Sequence, residues 1–350
     1  MKKKNISLII VFIMLFALTI DTEAKTICKR ASKLSTQTCN WNISGNTGCL
    51  HKYQSNATIS YGNLGTTGIL TSGDAFDCDV NGDGIFDSTK ERFYYVTDLS
   101  VNNNYAVLIY NSNTIGGVAS SSKEGELEYD VTQTDIDSEG PYTAIANLPK
   151  TSQWTNVSLS NVNRKITSSD GTELFDFSYA GYSARFLTIQ ELKTACGIDT
   201  ISGGTTIDIG ALDSCLYFIE NTNYANSGHI ANDYFLENLK YSGVNYSGTW
   251  QTKATDRSYT TFYAGTVHNK SGVRPVIEVN KDDIDLSVQT TTKPSAIEPS
   301  KGEKREMDQV VKVDDTFAKI PLIVGIVSVV LIIVGGTITA ITLLKKSKEK

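Results

Sequence analysis

The stretch D-V-N-G-D-G-I-F-D, Asp79 to Asp87, places oxygen-bearing side chains at its first, third, fifth and ninth positions, with Gly84 at the sixth. Calcium takes six to eight oxygens at roughly 2.3–2.6 Å in a flexible geometry, and a glycine lets the chain turn sharply around the ion. Asp79, Asn81, Asp83 and Asp87 are therefore the candidate side-chain ligands, and Ile85 offers a backbone carbonyl. Such a site would be structural rather than catalytic. The same residues also read as a turn without metal, because Asp, Asn and Gly make turns for their own backbone reasons. Asp77 either contributes to the ion or is simply solvated.

The twelfth position is Lys90, where an EF-hand carries Glu, so an EF-hand is excluded. The nine-residue form instead resembles the calcium-loaded hairpin loops of integrin-type propellers, in which the ninth-place Asp closes the site. The β-type run that begins at Arg92 agrees with a loop flanked by strands.

Other chemistry leaves little trace. His51, His229 and His268 are the only histidines, and they form no H-E-x-x-H pattern. Nucleophile-elbow, P-loop and dinucleotide motifs are missing as well. A hydrolytic carboxylate pair has no spacing rule by which it would show, and scattered solvated acids are the alternative. The expectation is a protein that is not an enzyme. Between Trp250 and His268, the residues Trp250, Arg257, Tyr259 and Tyr263 are candidates for ligand contact. Aromatic faces supply contact area at low entropic cost, although the same rings could pack beneath a long loop.

Six cysteines, Cys28, Cys39, Cys49, Cys78, Cys196 and Cys215, predict disulfides on an oxidising face. Six cysteines allow 15 connectivities. The expected pairing is Cys196–Cys215, with the four N-terminal cysteines joined among themselves. No C-x-x-C occurs, which argues against zinc and against thiol–disulfide exchange.

Local signals place the elements that must hold these residues. Thr188 and Glu191 form a capping box, and Ile189, Leu192 and Cys196 share one helical face. Gly197 sits where a left-handed residue ends a helix. Arg92–Thr97 and Tyr105–Tyr110 read as the two strands of a hairpin, Ala57–Tyr61 and Gly68–Thr71 as short strands, and Ser271–Val279 as a buried terminal strand. A short helix is predicted in Gly140–Pro149, and further strands over Gln153–Leu159 and Leu174–Phe177. Asn221 to Lys270 reads as a long polar loop region.

Three of these blocks carry a resemblance. R-F-L-T-x-x-E-L-x-x-A, Arg185 to Ala195, is similar to the R-L-P-T-x-x-E-W-E-x-A helix of the formylglycine-generating-enzyme-like branch of the C-type lectin fold. Tyr234–Glu237 resembles a Y-W-L/S segment of bacterial lectin-like modules, and G-V-R-P-V-I, Gly272 to Ile277, resembles the strand that closes that fold. The chain departs from the pattern at Leu187, which stands in place of Pro. It also lacks a Trp after Glu191 and the paired cysteines such enzymes use. The resemblance implies an α+β, β-rich fold of C-type-lectin-like type, with the Trp250–His268 stretch forming exposed ligand-facing loops.

The ends of the chain predict its place. Lys2–Lys4, the apolar run Ile6–Ile20 and Thr22-Glu23-Ala24 read as a secretory signal over residues 1–24. Pro321 to Leu344 is apolar and uncharged, long enough for the ~20 residues a bilayer needs, and Lys345, Lys346, Lys348 and Lys350 follow it. The positive-inside rule then puts residues 345–350 in the cytoplasm. The expected organisation is a Cys/Gly-rich section over 25–91 with the calcium-type loop, a lectin-like ectodomain over 92–287, a stalk over 288–319 and a span over 320–344. The lysine-ended span also resembles a Gram-positive sorting signal, but Val313–Phe317 lacks the Pro and Gly of L-P-x-T-G. N-x-S/T sequons such as Asn156 and Asn245 are composition in a bacterial protein.

Of the 32 Lys and Arg, seven lie in leader and tail, and of the 38 Asp and Glu, three do. The exterior part is thus at about −10, which disfavours nucleic acid as a partner. The functional expectation is a single-pass bacterial cell-surface protein for recognition or adhesion, binding an extracellular glycan or protein. A surface enzyme or enzyme accessory and an inert coat protein are the alternatives.

Overall fold

The computed structural model describes residues 25–38, 58–120, 125–132, 138–199, 206–208, 213–220, 234–240, 248–256, 259–266 and 270–288. All belong to the first of two compact units, Met1–Thr291 and Thr292–Lys350. The predicted leader, span and basic tail lie outside the described residues, as does all but the first residue of the stalk. Among the described residues no helix is long and apolar enough to cross a membrane.

In chain order the first strands are β1 (Cys28–Arg30), β2 (Ser35–Thr38), β3 (Thr58–Tyr61), β4 (Ala75–Cys78), β5 (Arg92–Leu99) and β6 (Asn102–Tyr110). Short strands β7 (Thr114–Ile115), β8 (Val118–Ala119) and β9 (Leu127–Glu128) follow, then β10 (Asn163–Thr167) and β11 (Glu173–Ser178). After the helix α1 (Ile189–Cys196) come β12 (Thr206–Asp208), β13 (Phe235–Lys240), β14 (Gly248–Asp256) and β15 (Tyr259–Thr266). The last are β16 (Lys270–Ser271), β17 (Val276–Asn280) and β18 (Ile284–Asp285). The protein is β-rich with few helices, a mostly-β member of the α+β class.

Two sheets organise the unit. The larger has the order β17-β6-β5-β4-β1-β18 and is antiparallel apart from the β1–β18 pair. The smaller, β12-β15-β14-β13, is antiparallel throughout. The strands β5 and β6 read as nearly continuous apolar runs because both faces of the large sheet are covered. Tyr94, Val96, Val107, Ile109 and Val276 pack on one side with Ile189 and Leu192 of α1. Phe93, Tyr95, Leu108, Tyr110 and Ile277 pack on the other with Trp154, Tyr179 and Phe186.

The stretches 25–91 and 92–287 are not separate bodies. β1 and β4 from the first stretch pair into the same sheet as β5, β6 and β17 from the second. A Cys28–Cys78 disulfide joins β1 to β4, and Cys196–Cys215 joins the end of α1 to the segment after β12. Both agree with the expected pairing pattern; Cys39 and Cys49 lie outside the described residues.

The capping box forms as its spacing predicts. The Glu191 N–H donates to Thr188 Oγ1 at 3.2 Å, and the Thr188 N–H donates to Glu191 Oε2 at 3.0 Å. Gly197 closes the helix at φ 62°, a conformation that costs a Cβ-bearing residue about 1–2 kcal/mol. The segment before the helix is a hinge between sheets. Arg185 bridges to Val276 of β17, and Leu187 to Leu236 of β13.

Four expectations are corrected. Gln153–Leu159 forms no strand; it turns and then runs irregularly, with Trp154 driven into the core against Phe93 and Tyr110. Gly68–Thr71 is a turn closed by a Thr66–Ile69 bridge. The predicted helix in Gly140–Pro149 is one 3-10 turn, Ala144–Asn147. The stretch 221–270 is not one long loop, since it contains β13, β14 and β15. Thr, Tyr and Phe in T-W-Q-T-K-A-T and Y-T-T-F-Y-A-G-T favour a pleated sheet over an open loop.

A buried polar network sits where α1, β10, β13 and β17 meet. Arg185, fully buried, donates through Nε to Glu278 Oε1 at 2.7 Å and through Nη1 and Nη2 to the two oxygens of Glu191 at 2.9 and 2.5 Å. Burial works against all three charges, but their mutual attraction outweighs it. Both carboxyls are held below the usual glutamate range, and the guanidinium is held well above its ordinary value.

Candidate functional site

The loop after β4 carries the residues singled out for calcium, and backbone donors order each of them. Asp79 Oδ1 accepts from the Gly82 N–H at 2.9 Å, and Oδ2 from the Gly84 N–H at 3.1 Å. Asn81 Oδ1 accepts from the Asp83 N–H at 2.9 Å, and Asp83 Oδ1 from the Ile85 N–H at 2.8 Å. Gly84 adopts φ 80°, which permits the reversal at this point. Ile85 turns its side chain outward, so its carbonyl is all it can offer an ion.

Neighbouring segments brace the loop. Asn156 Nδ2 donates to the Asp79 carbonyl at 2.8 Å and to Asp79 Oδ2 at 3.0 Å. Thr155 Oγ1 donates to the Asn81 carbonyl at 2.7 Å. Lys25 Nζ in turn donates to Asn156 Oδ1. The irregular segment after Pro149 therefore has a role that no strand would have: it carries the groups that clamp the loop.

Asp87 stands apart from the other three. Its Oδ1 accepts from the Thr89 hydroxyl at 2.6 Å and the Thr89 N–H at 2.8 Å, which hold its carboxyl below the usual aspartate range. Asp77 is neither solvated nor part of the loop site. It accepts from Arg92 Nε at 2.7 Å in a buried pair, and burial still pushes its carboxyl up. Among the described residues no three Asp, Glu, His or Cys side chains have converged into a cluster able to hold an ion.

Glu91 belongs to this site and was missed in the sequence. It lies one place beyond the twelfth position, just before β5, and an acidic residue there was the available signal. The side chain is only 5 % exposed. Its Oε2 accepts from the Asp87 N–H at 3.2 Å, while Oε1 is buried without a hydrogen-bond partner. Burial, reinforced by the charges of Asp83 and Asp79, pushes the carboxyl up to about 7. Such a group can carry a proton near neutrality.

The loop forms one wall of an open groove of about 640 Å³. Asp83, Asp87 and Glu91 line its acidic side, while Tyr110, Trp154 and Val118 line the other. Tyr110 donates from its hydroxyl to the Lys90 carbonyl at 2.5 Å, which pins the end of the loop to the large sheet.

Of the residues expected on ligand-facing loops, Trp250 does not reach a surface. Trp250 is fully buried in the core on the α1 side of the large sheet, because β14 places it there. Its indole N–H has no hydrogen-bond partner among the described residues. Tyr259 and Tyr263 lie on β15, opposite Asp256 and Gln251 of β14. Arg257 lies outside the described residues.

A second groove, of about 490 Å³, opens between the 3-10 turn and the β10–β11 hairpin. Tyr142 is 44 % exposed and meets Phe177 edge-on at 5.1 Å between centroids. Asn163, Arg164, Asp176 and Ser178 surround the two rings. This arrangement pairs an apolar face with donors and acceptors and could receive an amphipathic ligand.

Comparison with family models, with curated proteins and with solved structures found no match to this chain.

Proposed function

We propose that this chain is a membrane-anchored bacterial surface protein whose ectodomain, of C-type-lectin-like type, recognises a glycan without chemical turnover. The observation that carries the reading is the Tyr142–Phe177 groove. Tyr142, 44 % exposed and braced edge-on by the buried Phe177, offers an apolar ring for the C–H side of a sugar, and Asn163, Asp176 and Ser178 beside it suit its hydroxyl groups. The sequence pattern supports the setting: a leader, two disulfides of the kind an oxidising face permits, and an apolar run followed by lysines. With Trp250 buried, this reading takes the groove as the recognition surface.

The test is a glycan-array screen of the full chain in detergent, followed by titration of any hit. Tyr142→Ala is expected to weaken binding at least tenfold, the equivalent of about 1.4 kcal/mol, with the melting temperature nearly unchanged. Binding that survives Tyr142→Ala removes the groove from the reading, and a blank array removes the glycan. The competing reading, a surface hydrolase with Glu91 as its acid, is tested in the same samples by release of product.

A further inference from the structure

The buried end of Glu91 has no account in the fold. A carboxylate oxygen shut away from water without a donor is rare and demands an explanation. Glu91 Oε1 makes no hydrogen bond, while the other oxygen accepts from the Asp87 N–H, and the Asn81 N–H lies near enough to the carboxyl to act on it. The side chain lines the same groove as Asn81, Asp83 and Asp87 and lies within the electrostatic reach of Asp79 and Asp83. Four carboxylates thus crowd one loop; Lys25 and Lys29 meet Asn156 and Phe86 beside it, and Lys90 pairs with one of the four. The Lys90 ammonium lies 3.8 Å from Asp87 and is mostly in solvent.

The geometry points to Glu91 as the ligand that completes a calcium site with Asp79, Asn81, Asp83 and the Ile85 carbonyl. Asp79 Oδ2 already takes two donors, the Gly84 N–H and Asn156 Nδ2, but Asp79 Oδ1, Asn81 Oδ1 and Asp83 Oδ1 each take one backbone N–H and keep a second lone pair. These N–H groups preset three ligands along the loop. Glu91, at the foot of β5, lines the same groove and brings an oxygen that makes no hydrogen bond. Lys90 at the twelfth position points outward and leaves that place to its neighbour. Calcium rather than magnesium is the ion, because the donors come from a flexible loop and mix carboxylate, amide and carbonyl. Magnesium demands a near-ideal octahedron and keeps most of its water. Among the described residues no three Asp, Glu, His or Cys side chains have converged, so the ion must draw Asp83 and Glu91 toward each other against their mutual repulsion. This site is independent of what the Tyr142 groove binds.

The experiment uses the full chain in detergent micelles and terbium as a luminescent stand-in for calcium. Tyr110 and Trp154 line the groove, so excitation of the rings should sensitise the bound lanthanide. Expected is terbium emission that calcium displaces at sub-millimolar concentration and magnesium does not. Glu91→Gln should weaken calcium at least tenfold while leaving the calcium-free melting temperature equal or higher, because it removes a buried charge. Asp83→Asn should weaken it as much. If Glu91→Gln does not fold, Glu91→Asp keeps the charge, withdraws the oxygen and should show the same tenfold loss. Wild-type chain that gives no emission and no calcium-dependent melt shift up to about 10 mM, above the weakest typical extracellular sites, overturns the whole site. Equal displacement by magnesium overturns the choice of ion. If Asp83→Asn loses calcium and the Glu91 variants keep it, the loop binds the ion and the role of Glu91 is refuted.

Discussion

Replacing Arg185 by Leu should cost the protein about 4 kcal/mol at pH 7, and the penalty should shrink in acid. The substitution removes three charge-assisted hydrogen bonds to Glu278 and Glu191 and a further bond to the Phe186 carbonyl at 3.0 Å. Glu278 retains Ser160, whose N–H donates at 2.8 Å, and Arg164 at 3.4 Å. Glu191 retains the Thr188 N–H and the attraction of Arg164. Breaking a buried ion pair from one side typically costs 3–5 kcal/mol, because the orphaned charge stays buried. Two orphans, each partly compensated, put the expectation in the middle of that range.

The pH dependence separates this cause from lost packing. In the wild type both carboxyls are held below their ordinary value of 4.5, so their contribution is complete above that value. It is lost as pH falls through the lower folded values, where unfolding takes up protons. In the variant burial outweighs the contacts that remain and raises both carboxyls, so protonation relieves the strain on the folded state. Urea unfolding of disulfide-intact protein at fixed calcium, at pH 7 and at about pH 3.5, reads both effects. A loss below about 1 kcal/mol at pH 7 refutes the reasoning, since an ion pair of surface strength would then be all that was broken. A loss equal at both pH values refutes it as well, because it would point to the side-chain volume.

Two further perturbations test the scaffold. Replacing Cys28 and Cys78 together by Ser opens a bond between residues 50 apart in sequence, for which loop entropy gives about 4 kcal/mol; a denaturant midpoint unchanged from wild type would show that the bridge adds nothing to the β1–β4 pairing. Thr188→Ala removes the cap of α1 and should cost about 1 kcal/mol, and combining it with Glu191→Gln should give less than the sum of the two. Strict additivity in that cycle would show that the two halves of the capping box act separately.

The features legible in the residues were those whose partners lie close in the chain. The capping box and the Gly197 terminus depend on contacts three or four residues apart, and the β5–β6 hairpin on a short turn between two apolar runs. Cys196 and Cys215 are 19 residues apart, and the carboxylates of the Asp79–Asp87 loop are positioned by N–H groups two to five residues away. Apart from the disulfide, an expectation chosen among 15 connectivities, each of these could be read from spacing alone, because backbone geometry sets the distances.

What the tertiary structure decided concerns partners far apart in the chain. Arg185 and Glu278 are 93 residues apart, and they meet because the segment before α1 bridges to β17. Trp250 reads like a surface aromatic among threonines, but the pairing of β14 with β13 and β15 turns it into the core. Trp154 and Asn156 lie in a stretch whose pattern predicts a strand, yet one side chain fills the core beneath Tyr110 and the other clamps Asp79. Glu91 is one more acid among many in sequence. Only the burial of its side chain between the loop and β5 leaves one carboxylate oxygen without a partner, because desolvation is a property of the packed fold and not of the residue.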